Sequence, residues 1–183
     1  PAEEWRSVAV DWRDVDGDIA WQLTTDVAWN LAEELDALLC AIEEPDGAVV
    51  CGGFNPFMDG TQPLEPMLRS DGGLLMGAER IKFELGVGCA LLTDGSLWCF
   101  GSNIAHDLAR GGRLGDGSTR SRAEAAPVPL PEGRRAVAFD LGVSYGCAQL
   151  DDLSVYCWGG GSQICGPEGC RQAGGELTPI EVW

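Results

Sequence analysis

The chain has 183 residues, 26 of them glycine and 10 proline, and 29 acidic against 12 basic residues leave a net charge of −17. That field repels phosphate backbones and anionic membrane surfaces, which excludes nucleic acid as a natural partner. Glycine and proline are scattered between short apolar runs, a punctuation that excludes an all-α fold and predicts many short strands and turns.

In chain order, the first predicted pair of strands is Ser7-Val8-Ala9-Val10-Asp11 and Asp18-Ile19-Ala20-Trp21, joined by a turn at residues 14–17. Three longer units follow, and they align with one another. The first leads from Val27-Ala28-Trp29-Asn30-Leu31 to Cys40-Ala41-Ile42 and, past an Asp46-Gly47 turn, to Ala48-Val49-Val50-Cys51-Gly52. Residues 31–39 have local helical propensity, but the alignment carries their end into a strand at Cys40. The second runs from Ile81-Lys82-Phe83-Glu84-Leu85-Gly86 through Cys89-Ala90-Leu91-Leu92 and Asp94-Gly95 to Leu97-Trp98-Cys99-Phe100-Gly101. The third runs from Val137-Ala138-Phe139-Asp140-Leu141-Gly142 through Cys147-Ala148-Gln149-Leu150 to Val155-Tyr156-Cys157-Trp158-Gly159. The unit length is about fifty residues, the size of a propeller blade. The division expected is 1–26 as a degenerate unit without cysteines, then 27–80, 81–136 and 137–183, all in one repeat array. The start at Pro1-Ala2, without Met, is that of a chain whose signal peptide was removed or whose end was trimmed. No apolar run approaches the roughly 20 residues that cross a bilayer, so membrane insertion is not expected.

Eight cysteines fall into four local couples: Cys40 with Cys51, Cys89 with Cys99, Cys147 with Cys157, and Cys165 with Cys170. The first three couples enclose hairpin turns, and opposed residues of an antiparallel pair are close enough at Cα for a disulfide. Structural zinc prefers closer Cys couples and often His, whereas His106 is the only histidine. Disulfides are the expected state, with secretion or display at the cell surface as the compartment that preserves them.

These residues resemble the regulator of chromosome condensation repeat family. The likeness rests on the Gly then Cys-Ala-Leu strand, the Asp-Gly turn, the Cys-Trp-Gly strand end, and Arg113-Leu114-Gly115-Asp116-Gly117-Ser118-Thr119 in place of the family's Gln-Leu-Gly-Asp-Gly loop. Pro127-Val128-Pro129-Leu130-Pro131 and Thr178-Pro179-Ile180-Glu181-Val182 look like exits toward a next unit. The resemblance covers about residues 27–183, and it implies an all-β fold, a β-propeller-like array of four-stranded blades. Family propellers normally have seven blades. The three or four units here make a partial array, or one completed by oligomerisation. The family's secreted members include inhibitors of β-lactamases, whereas the nuclear members' nucleotide-exchange activity depends on a complete propeller in a reducing compartment and is not transferred.

Asp14, Asp16 and Asp18 around Gly17 do not keep the register of a helix-loop-helix calcium site, and a hairpin turn accounts for them. The 113–119 loop lacks the Lys and the strand-to-helix context of a phosphate loop; its glycines fit an interblade turn at positive φ. A catalytic triad would need His106, in a variable insertion, and no carboxylate pair stands out, so no catalytic residue, metal site or cofactor is expected. Trp98 and Trp158, each next to a cystine, should face away from it into the interblade core. Trp5, Trp12 and Trp183, near the termini, are the candidate self-association surface. The function expected is non-catalytic extracellular binding of a protein partner through interblade loops; the alternative is a structural subunit of a self-assembling filament or surface assembly.

Overall fold

In a computed structural model, the structure describes residues 5–11, 38–43, 45–54, 61–84, 86–103, 112–166 and 169–182, with backbone alone over 5–11, 38–39, 53–54, 61–63, 161–166 and 169–178. All regular structure among them is β. Four antiparallel strands, β1 (Trp5–Asp11), β2 (Leu38–Glu43), β3 (Ala48–Phe54) and β4 (Thr61–Pro66), form the first sheet in sequence order. The second sheet is β5 (Ala78–Glu84), β6 (Val87–Leu92), β7 (Leu97–Gly101) and β8 (Arg122–Pro127). The third is β9 (Ala136–Leu141), β10 (Tyr145–Leu150), β11 (Val155–Gly166) and β12 (Gly169–Glu181). Most strand neighbours are joined by two to six residues, which can connect only antiparallel partners, whereas 26 residues separate β1 from β2 and 20 separate β7 from β8. In the first sheet β1 takes the first-strand position that the repeat alignment gives to residues 27–31, which lie outside the described residues.

The cystines sit at the middle of each sheet. Cys40 faces Cys51, Cys89 faces Cys99 and Cys147 faces Cys157 in strict register, and each pair is disulfide-bonded with Cα atoms 4.1 Å apart. Cys165 and Cys170 also oppose each other at the tip of the β11–β12 hairpin, where the backbone alone is described.

Strand alternation gives every sheet two faces, and the sheets stack so that the cystine face of one meets the opposite face of the next. Cys40, Ile42 and Val49 pack with Ala78, Ile81, Phe83 and Ala90. Cys89, Leu91, Leu97 and Cys99 pack with Leu141, Ala148, Leu150 and Trp158. Burying such a side chain contributes about 1.5–3 kcal/mol, so these two seams carry the stability of the array.

Each seam is also stitched by backbone hydrogen bonds that recur from unit to unit. The Ala78 N–H donates to the Gly47 carbonyl and the Ala136 N–H to the Gly95 carbonyl, both at 2.9 Å. In return, the Thr93 N–H donates to Gly77 at 2.8 Å and the Asp151 N–H to Arg135 at 2.9 Å. The exits repeat as well: Met67, Val128 and Val182 donate to Val49, Leu97 and Val155 at 2.7, 2.8 and 2.9 Å.

Candidate binding surface

Two surface features are built on this scaffold, a loop that leaves the second sheet and a turn on the open side of the third. The loop begins where β7 ends. Asn103, fully buried, is its hub: its side-chain oxygen accepts from the Gly112 and Leu114 N–H groups at 3.1 and 3.0 Å, and its amide donates to the Ser118 and Arg120 carbonyls at 2.8 and 3.2 Å. One buried amide thus satisfies four backbone groups that no strand ladder reaches, which fixes the path of residues 112–120. Asp116 accepts from the Ser118 N–H at 2.9 Å and pairs with Arg122, closing the turn.

Gly115 and Gly117 have φ of 67° and 78°, as expected of an interblade turn. Gly115 has a second constraint, because a Cβ there would lie 2.7 Å from Trp158. The indole fills this gap and its N–H donates to the Arg113 carbonyl at 2.9 Å. Residues 117, 119 and 120 stay exposed on the outer side of the loop.

Trp158 and Trp98 both lie on the face away from their cystine, as alternation requires. Trp158 is fully buried against the second sheet. Trp98 is half-buried, and the guanidinium of Arg69, from the segment after β4, sits 4.6 Å from its ring centre.

The cystine face of the third sheet has no further sheet on it among the described residues. Cys157, Val182, Cys147 and Val155 form a small cluster there. The position that is Ile42 in the first sheet and Leu91 in the second, both buried, is Gln149 in the third and exposed. At the β10–β11 turn, Leu153 has φ 72° and is 74% exposed. Asp151 and Asp152 precede it, with Arg134 3.6 and 3.0 Å away respectively. Hydrogen bonds from the Ser154 hydroxyl and N–H hold the Asp152 carboxyl below the usual aspartate range, so it is ionised at neutral pH.

Of the residues singled out from the sequence, His106, Asp14, Asp16, Asp18, Trp12 and Trp183 lie outside the described residues, and Trp5 is described only as backbone in β1. Among the described residues no group of His, Cys, Asp and Glu is arranged to hold a metal ion, and no helix is long and apolar enough to cross a membrane. Sequence reasoning missed Asn103 and Leu153. Asn103 carries no short-range signal of its role. Leu153 did leave one: the turns read Asp46-Gly47, Asp94-Gly95 and then Asp152-Leu153.

No protein-family model matches the chain, and no curated protein matches it. Solved structures do. Human WBSCR16 aligns with a TM-score of 0.54 at 18% identity over 80% of this chain and 37% of that one. Yeast RCC1 (Prp20), solved bound to Kap60, aligns with a TM-score of 0.54 at 14% identity over 79% of this chain and 35% of that one. The fold is RCC1-like. Prp20p from Saccharomyces cerevisiae, whose structure was described together with its binding properties to Gsp1p and histones, aligns with a TM-score of 0.53 at 14% identity, over 79% and 36% of the two chains. This chain therefore spans little more than a third of the length of these RCC1-like structures.

Proposed function

We propose that the chain is a non-catalytic, extracellular binding segment with RCC1-like architecture, which recognises a protein partner through its interblade loops. The observation that carries this reading is the Asn103 hub: a loop held from beneath by a buried amide presents residues 117, 119 and 120 outward in a fixed shape. A preorganised loop loses little entropy on binding, which favours recognition. Yeast RCC1, with the same fold, was solved with the protein Kap60, so the architecture is compatible with protein partners. The three cystines support an oxidising, extracellular location, and the repeat bounds 27–80, 81–136 and 137–183, after a degenerate 1–26, belong to the same proposal. The register of Cys165 with Cys170 supports a fourth disulfide.

The test is affinity capture on the oxidised protein from an extracellular fraction, against the double substitution Thr119→Glu with Arg120→Glu, both at exposed positions. A protein held by the unmodified chain and lost from the variant is the expected result; equal capture by both, or none, overturns it.

A second reading, a self-assembling structural subunit, is favoured by the cystine face of the third sheet and the outer edge of β12, neither of which meets another strand among the described residues. Trp5, Trp12 and Trp183 are its proposed contacts.

A further inference from the structure

The three β-turns at the centre of the sheets hold equivalent residues at positive φ: Gly47 at 67°, Gly95 at 80° and Leu153 at 72°. At the first two, the following unit lies directly on the turn. A Cβ on Gly47 would come within 2.8 Å of the Ala78 nitrogen, and one on Gly95 within 2.4 Å of the Arg135 Cβ. Leu153 carries an isobutyl side chain at the equivalent position, which disfavours a further unit of this repeat seating on the third turn as the second and third units seat on theirs. A second copy of the chain is disfavoured too, since each copy carries a net charge of −17.

What stands there instead is a protruding apolar knob. Leucine at positive φ is strained where glycine would not be, and such strain concentrates at functional positions. The side chain is 74% exposed. Two carboxylates, Asp151 and Asp152, share the single guanidinium of Arg134 beside it, leaving a negative rim. Gln149, in place of a buried Ile or Leu, keeps the adjoining face wettable when nothing covers it.

We infer that Leu153 is the anchor of a docking surface, inserting into an apolar socket rimmed by Lys or Arg on a partner protein. The inference rests on the protein-binding reading above and gives it a contact residue and a partner chemistry. An apolar anchor supplies the affinity and the acidic rim supplies orientation and salt dependence.

The test selects displayed random peptides on the intact, oxidised protein alone and then measures the binding of each enriched peptide to Leu153→Gly, a substitution that suits the positive φ. Leu153→Asn, which also tolerates that conformation, serves as the second variant. Enriched peptides should combine Lys or Arg with large apolar residues and bind either variant roughly tenfold or more weakly. Their binding should also weaken in about 0.5 M salt. Peptides that bind both variants as well as the intact chain, or that carry no basic residues, overturn the inference. If such peptides are lost on the Thr119→Glu, Arg120→Glu protein, loop recognition stands without the Leu153 anchor; if no peptide is enriched at all, both readings fall. A concentration-dependent dimer in light scattering that Leu153→Gly abolishes would assign the site to a second copy and likewise overturn the inference.

Discussion

The indole N–H of Trp158 donates to the carbonyl of Arg113 at 2.9 Å, tying the third sheet to the loop that leaves the second. The same ring lies against Gly115 and Gly146, where added Cβ atoms would fall 2.7 and 2.4 Å from it. Trp158→Phe should therefore cost about 1–3 kcal/mol, through a buried carbonyl left without its donor. Trp158→Ala should cost about 3–5 kcal/mol. Gly115→Ala should cost about 1–3 kcal/mol by overpacking and backbone strain. Urea unfolding of the oxidised proteins checks all three.

Asn103→Ala removes the partner of four backbone groups at once. Each buried group left unsatisfied costs about 1–3 kcal/mol, though the loop can rearrange to recover part of this. Amide exchange should quicken across 112–120 and stay slow in β6, whose residues are buried along its whole length. Equal quickening in both would mean that the hub supports the sheet and not the loop.

Leu153→Gly should raise stability by about 1 kcal/mol, because glycine adopts positive φ without the steric cost that an L side chain meets. Gly95→Leu should do the reverse and more, since its Cβ would collide with Arg135. Thermal unfolding of the pair distinguishes a turn sealed by the next unit from one left open.

The Cys147–Cys157 bond should yield to a mild thiol reductant before the Cys89–Cys99 bond. Cys147 is half-buried on the open face, whereas Cys89 and Cys99 are fully buried within a seam. Removing a disulfide that closes a loop of this size costs about 2–4 kcal/mol. Timed alkylation with peptide mapping reads the order.

Much of the fold was legible because the cysteines mark both strands of each hairpin and the Asp-Gly turns set their register. From that register, alternation put Trp98 and Trp158 opposite the cystines without any knowledge of tertiary structure. The stacking was less legible. That a cystine face always meets the opposite face of the next sheet depends on sheet twist and packing, which no local pattern encodes. Asn103 was hidden for a similar reason: its partners lie 9 to 17 residues away, across an insertion, and an isolated Asn reads as a turn residue. Leu153 was visible as a break in the repeat, yet its meaning required the distance from Gly95 to Arg135.

The most direct test of the binding account is the mass of the oxidised protein in solution, alone and after addition of the protein it captures. The oxidised protein alone should be one species near 19.4 kDa, and it should form a stoichiometric complex that fails to form with the Thr119→Glu, Arg120→Glu chain. Large assemblies of the chain alone, or a complex indifferent to that substitution, would contradict the binding account.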